Sequence, residues 1–312
     1  MKKVGNLMGS IKFALFTDLH HDVIPDGLER LNSFITRARE AEVDFIIELG
    51  DFCHPCHKNE ELLSKFNDFE KPHYHVIGNH DSDLYTKKDV INWLGMEHSY
   101  YSFETGNIKF IVLDAAFIRY GNEFEVYHKR NYEVTDGIYP SIPDFELIWL
   151  QREISESLLP IVIFSHHSLE NSFRKRGVSN REEVQSIIKQ ATANGKKILL
   201  CVNGHDHTDS IEKINKTYYF TLNSISYKWF GPEFEHFCYS SENHEKYPSL
   251  KDIILHSEPL SAIISIDEQY NIEIQGMEGG YQKITPKELG ITGPWDGRVI
   301  SPNVSSMRLL FE

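Results

Sequence analysis

Cysteine is scarce in this 312-residue chain: Cys53, Cys56, Cys201 and Cys238 are too few and too scattered for a disulfide framework. Reduced thiols and a cytoplasmic setting are the expectation. Long apolar runs are missing as well. No stretch approaches the ~18 residues that a membrane helix needs, so a membrane partner is not expected. The N-terminus opens on two lysines, as a leader can, but Gly5, Asn6, Gly9, Ser10 and Lys12 break its apolar run. "IKFALF" at 11–16 reads better as a first strand. Positive charge is also in deficit: 32 Lys and Arg face 46 Asp and Glu, a net charge of −14. That balance argues against long nucleic acid as a partner, which demands a basic face. Apolar residues (40%) and aromatics (12%) are plentiful enough for a sizeable core.

Over the first two thirds, short apolar runs alternate with helical spacing. The runs 13–16, 45–49, 74–77, 108–113, 161–164 and 198–202 read as strands. Leu28, Leu31, Ile35 and Ala38 recur at helical intervals, as do Leu62, Leu63, Phe66 and Phe69, and Val184, Ile187, Ile188 and Ala191. The last of these helices has a start signal in Asn180 with Glu183 and a stop signal in Gly195. Such alternation indicates a layered α/β domain. A hairpin turning near Thr105-Gly106-Asn107 makes the sheets mixed, and 218–222, 262–266 and 272–275 read as later meander strands. We expect one domain, with a core at about 11–230, an irregular insertion or lid at about 231–259, and C-terminal strands and tail at 260–312.

The chemistry lies just past the strand ends. "FALFT" runs into Asp18-Leu19-His20, "FIIEL" into Gly50-Asp51, and "YHVI" into Gly78-Asn79-His80-Asp81. "IVIFS" runs into His166-His167, and "ILLCVN" into Gly204-His205-Asp206-His207. Ligands of open α/β sheets gather at the carboxyl ends of strands, so these distant side chains converge on one edge. Imidazole, carboxylate and one amide oxygen suit divalent transition metals without a thiolate. The glycines beside Asp51, Asn79 and His205 allow close backbone approach.

The ordered series D-x-H, G-D, G-N-H-D, H and G-H-x-H resembles the calcineurin-like metallophosphoesterase superfamily, over about residues 11–230. The resemblance implies a four-layer α/β/β/α sandwich of two mixed β-sheets, with a two-metal site at the sheet edge. It assigns Asp18, His20 and His207 to one divalent metal ion, Asn79, His166 and His205 to the second, and Asp51 to both. His80 is then a catalytic histidine that binds no metal, with Asp81 orienting it. The implied activity is a phosphoric ester hydrolase in which a metal-activated hydroxide attacks phosphorus in line. The expected partner is a small phosphorylated substrate. A phosphodiester or nucleotide is favoured over a phosphomonoester, and the metal pair is left open among Mn, Fe, Zn and Ni. An inactive scaffold of the same fold is the competing class. It is disfavoured because every motif position is filled.

Other signals are weaker. "FELIWLQREI" resembles a helix of the cyclic-nucleotide phosphodiesterase and purple-acid-phosphatase branches, with Glu146 where glutamine is usual, and it reads as core packing. His21, Asp22 and His167 neighbour the ligands and are candidate orienters. Asn223, Ser224 and Tyr227 are candidates for a pocket wall, and Lys129-Arg130 for a phosphate contact. "CHPCH" at 53–57 matches a haem-attachment pattern and a redox C-x-x-C. Nothing else in the chain supports either, and Asp51 is the residue there that completes a ligand set.

Overall fold

Alternating strand faces decide the layering, because each sheet has one face to bury against the other sheet and one against helices. The computed structural model describes residues 10–133, 136–171, 176–295 and 297–311, so the first nine residues, weighed above as part of a leader, lie outside the described residues. The chain runs β1 (Ile11–Phe16), α1 (Gly27–Glu40), β2 (Phe45–Glu48), α2 (Glu60–Asn67), β3 (His73–His75) and α3 (Lys87–Trp93). It continues through β4 (Tyr101–Thr105), β5 (Ile108–Leu113), β6 (Phe117–Tyr120), β7 (Glu123–Val126), α4 (Asp144–Glu156), β8 (Ile161–Ser165) and α5 (Arg181–Ala193). Next come β9 (Ile198–Asn203), β10 (Ser210–Ile214), β11 (Thr217–Thr221), β12 (Tyr227–Trp229), α6 (Ser241–Lys246) and β13 (Ile253–Leu255). The last strands are β14 (Ala262–Ile266), β15 (Ile272–Gln275) and β16 (Met307–Leu309).

Two six-stranded sheets form, ordered β16-β15-β14-β1-β2-β3 and β10-β11-β9-β8-β5-β4. Both are mixed, as the hairpin implied: β1 pairs parallel with β2 and antiparallel with β14. Likewise β5 pairs parallel with β8 and antiparallel with β4. Phe13, Leu15, Phe45 and Ile47 from the first sheet meet Phe110, Val112, Phe164 and Phe220 from the second. On the far face of the first sheet, Ala14, Phe16 and Ile46 pack on Leu31, Phe34 and Ile35 of α1 and Phe66 of α2. On the far face of the second, Ile111, Ile163 and Cys201 pack on Leu150 and Ile154 of α4 and Val184 and Ile188 of α5. The result is the four-layer α/β/β/α sandwich.

Three local expectations change. Residues 231–259 are built into the fold: β13 pairs with β12, and Leu250, Ile253 and Leu255 are buried in the same layer as α1. The Asn180 side chain does not cap α5; it donates to the Ile142 carbonyl and accepts the Ile142 N–H, tying two loops together. Glu146 is more than packing. It is fully buried and accepts the Asp114 N–H at 2.8 Å, while Asp114 holds the buried Lys87 ammonium at 2.7 Å.

The intersheet layer hinges on Phe13, stacked on Phe45 at 4.9 Å and edge-on to Phe110 and Phe164 at 5.5 and 5.9 Å. Phe13→Ala should cost about 3–5 kcal/mol through lost burial and a cavity. Urea unfolding followed by circular dichroism checks this, and a midpoint within error of wild type would refute it.

Candidate metal centre and active-site cleft

Three of the five strand-end loops turn their side chains inward through an unusual backbone. Asp18, His20, Asp51, His205 and His207 all have positive φ, between 46° and 67°. Asp and His tolerate this left-handed region better than most residues. The loops also lean on one another: the N–H groups of Asp18, His20 and His21 donate to the carbonyls of Gly50, Asp51 and Phe52. Two glycines are required by crowding. A Cβ at Gly78 would lie 2.1 Å from Asp51 Oδ1, and one at Gly204 would lie 1.8 Å from Thr17 Oγ1.

The seven residues expected to hold metal come together and are nearly all buried. His207 Nε2 lies 3.2 Å from Asp18 Oδ1 and 3.3 Å from His20 Nε2, which is itself 3.6 Å from Asp51 Oδ2. His166 Nε2 lies 3.2 Å from the same Asp51 oxygen and 3.1 Å from His205 Nδ1. Asp51 thus sits between two groups of histidines. Asn79 Oδ1 is buried and has no hydrogen-bond partner among the described residues.

The hydrogen bonds behind these atoms set their chemistry. His166 Nδ1 is 2.8 Å from the Leu49 carbonyl and His207 Nδ1 is 2.7 Å from the Tyr227 carbonyl, so each carries its proton there. In the neutral rings Nε2 is then a lone pair, aimed at a carboxylate oxygen. Two acceptors at such range attract only with a proton or a cation between them. At His166 a proton serves in the metal-free chain. Burial opposes the charged ring, but the Asp51 carboxylate outweighs it and the pKa is pushed up to about 10. At His207 burial prevails and the pKa falls to about 4, leaving a neutral ring against Asp18. His205 is likewise driven well below its ordinary value, first by burial and then by Arg176. Neutral imidazoles, inward carboxylate oxygens and an orphaned amide oxygen form a donor set that fits two divalent cations.

The division of labour among carboxylate oxygens is consistent. Asp18 Oδ2 accepts from the His205 N–H and Thr17 Oγ1 at 2.8 and 2.7 Å, leaving Oδ1 inward. Asp51 Oδ1 accepts the His80 N–H at 2.7 Å, leaving Oδ2 inward.

One expected role moves to another residue. Asp81 does not hold His80: its oxygens accept the backbone N–H groups of Asp51, Phe52 and Gly78 at 3.1, 2.8 and 2.7 Å. His80 Nδ1 instead meets Asp83 Oδ2 at 2.8 Å. The short helical turn at His80–Ser82 explains the shift, since residues three apart share a face. Asp83 also accepts from Tyr132 Oη and lies 3.2 Å from Arg130 Nη2; of the Lys129-Arg130 pair, Arg130 lines the cleft and Lys129 does not.

These residues floor a cleft of about 580 Å³. Asp22, His167 and Tyr227 line it, whereas His21, Asn223 and Ser224 do not. His167 groups with His166 and His205 as a third set able to approach one ion. Asn223 and Ser224 serve the backbone, donating to the Ser301 and Asp18 carbonyls respectively. Cys53 and His54 also line the cleft, with the Cys53 thiol pushed well up, chiefly by burial. The sequence reading missed Asp83, Tyr132, Arg176 and Trp229. Arg176 Nη2 donates to the His205 carbonyl at 2.6 Å, and its Nε lies 3.9 Å from buried Asp206. Only the i+3 spacing of His80 and Asp83 could have been read from sequence. Tyr132 and Arg176 are brought in by loops without a pattern, and Trp229 by the three-residue strand β12.

A mixed two-sheet sandwich with an edge cluster of His and Asp defines a metal-dependent phosphoester hydrolase. Residues 11–209 match the family described as calcineurin-like phosphoesterase, and the chain belongs to that family. Among solved structures it is similar to a dimetal phosphatase from Danio rerio, at 14% identity and a TM-score of 0.63, covering 97% of this chain and 99% of that one. It is also similar to GAP50, the anchor in the inner membrane complex of Plasmodium, at 14% identity and a TM-score of 0.59, covering 97% and 89%. At that identity the likeness is one of fold. No curated protein matches the sequence significantly. Among the described residues no helix is long and apolar enough to cross a membrane.

Asp81→Ala should strand three buried N–H groups, those of Asp51 and Phe52 on the Asp51 turn and that of Gly78 beside Asn79. Each unsatisfied group costs about 1–3 kcal/mol. The metal-free variant should therefore melt several degrees below wild type by calorimetry; an unchanged melting temperature would show that Asp81 does not hold the turn.

Proposed function

We propose that the chain hydrolyses phosphodiesters or nucleotide-type esters in preference to monoesters, using two divalent cations. Asp18, His20 and His207 would hold one cation, Asn79, His166 and His205 the other, with Asp51 shared. When bound, such cations neutralise phosphoryl charge and acidify a coordinated water. The observation that carries the reading is the inward set of atoms drawn from five strand ends: Asp18 Oδ1 and Asn79 Oδ1 are buried with no hydrogen-bond partner among the described residues, and His166 and His207 Nε2 each lie 3.2 Å from a carboxylate oxygen.

The chain's own side chains do the rest. Asp83 engages Nδ1 of His80, which leaves Nε2 as the nitrogen available to the cleft, where it can hydrogen-bond a phosphoryl oxygen or protonate the leaving oxygen. Arg176 brings a guanidinium to the same cleft, suited to a non-reacting phosphoryl oxygen. A cleft with Tyr127, Tyr132, Tyr227 and Trp229 on its walls has room for organic groups on both sides of phosphorus, which supports a diester. The acidic balance speaks against long nucleic acid, and four free cysteines agree with a cytoplasmic setting. Manganese is the cation to test first, from a donor set that also accepts Fe, Zn and Ni.

With manganese supplied, kcat/KM for bis(p-nitrophenyl) phosphate should exceed that for p-nitrophenyl phosphate by about tenfold. The reverse order would make the chain a phosphomonoesterase. Two bound metals with neither ester hydrolysed would favour the scaffold. His80→Ala should lower kcat by about 10²–10⁴-fold while metal content by plasma mass spectrometry stays at two per chain. Lost metal would contradict a role outside the ligand set.

A further inference from the structure

The strand β12 carries more than a pocket wall. It has three residues, Tyr227, Lys228 and Trp229, buried, buried and exposed in turn. Successive side chains on a strand alternate faces, so Tyr227 and Trp229 share one face, spaced by about 6.6 Å. Tyr227 packs on the metal cluster, its ring 5.2 Å from His20 and 4.8 Å from His207. Trp229 therefore stands one step further from the centre, along the same wall. Both rings line the cleft, yet Tyr227 is 3% exposed and Trp229 is 39% exposed.

The position is fixed from behind. Lys228 points the other way, and its ammonium donates to the Asp206 and His207 carbonyls at 2.9 Å each, binding β12 to the loop that carries His205 and His207. Pairing of Trp229 with Ile253 holds the other edge. An exposed tryptophan on a pinned strand costs apolar hydration without filling any core. Leu84, 62% exposed, adds a second bare apolar surface to the same cleft.

We infer that Trp229 is a specificity-determining residue: a stacking platform for a planar base carried about one sugar away from the scissile phosphorus. This rests on the hydrolase reading above and narrows its substrate class to esters of nucleoside type. Tyr227 is too buried and too near the cluster to serve as the platform. The face of Trp229 is the accessible π surface, and such surfaces accept any base because every base has a π face.

Two diesters with one leaving group separate the platform from the chemistry: thymidine 5′-(p-nitrophenyl phosphate) and methyl p-nitrophenyl phosphate, assayed on the manganese-loaded full chain. Wild type should show the lower KM for the thymidine ester. Trp229→Ala should raise that KM about tenfold, leave its kcat within twofold, and leave the methyl ester unchanged. Trp229→Phe should recover most of the loss. Equal effects on both esters, or on neither, would overturn the assignment. Fluorescence quenching by thymidine 5′-monophosphate gives a reading without turnover. Quenching in wild type that is lost in Trp229→Phe supports the platform even if neither ester is cleaved, a result that would sink only the hydrolase reading. No difference in quenching overturns the platform.

Discussion

The left-handed backbone at the strand ends is the constraint on which the rest of the molecule depends. Five of the seven proposed ligands, Asp18, His20, Asp51, His205 and His207, are held at positive φ. Each such residue stores roughly 1–3 kcal/mol of strain, with Asp and His toward the lower end. Together they approach the net stability of an ordinary domain, ~5–15 kcal/mol. The conformation persists only because neighbouring loops over-determine it. The D-x-H loop donates to the carbonyls of Gly50, Asp51 and Phe52, the Gly204 N–H donates to the His166 carbonyl, and the His205 N–H donates across the sheets to Asp18 Oδ2. Every ligand loop is thus braced by another ligand loop, and the two sheets are joined at the site as well as in the core.

That bracing explains why the C-terminal strands matter to a centre whose proposed metal ligands all precede position 210. β14 is the neighbour of β1, and buried Arg30 donates to the Ile225, His256 and Glu258 carbonyls. Ser224 and Ser226 donate to the Asp18 and Leu19 carbonyls. Residues 224–226 therefore back the first ligand loop directly, and His256 and Glu258 are tied to the same segment through Arg30. An irregular composition rich in His, aromatics and acids concealed this, because its pairing is with segments remote in sequence.

Periodicity accounts for the parts that were legible in the sequence. The layered fold, the mixed sheets and the strand ends could be read because apolar alternation and helical spacing are local signals, and the five metal motifs stand immediately after apolar runs. Asp81 was misassigned for an equally physical reason. Adjacency in sequence is a poor guide at a helical turn, where His80 and Asp83 share a face and Asp81 is rotated into the backbone of the Asp51 loop. Arg176 and Trp229 could not be anticipated at all. One reaches the cleft from a loop without pattern, and the other by the pleat of a three-residue strand.

The buried acids around Asp51 show how the centre tolerates so much negative charge. Glu48 accepts the Gly50 N–H at 2.7 Å and faces His75 at 2.8 Å, and burial pushes its pKa up to about 8, so it is held neutral at pH 7. It therefore fixes the turn without adding a charge that would compete for a cation. Asp51, by contrast, is drawn well below the usual carboxylate range: burial opposes this, but the His166 and His80 rings prevail. Two acids three residues apart are driven in opposite directions by their neighbours. One is a hydrogen-bonding brace and the other an anion whose Oδ2 faces the His20 and His166 rings. A cation entering such a centre finds its ligands already turned and displaces the proton that His166 holds against Asp51, so little of its binding energy goes into arranging them.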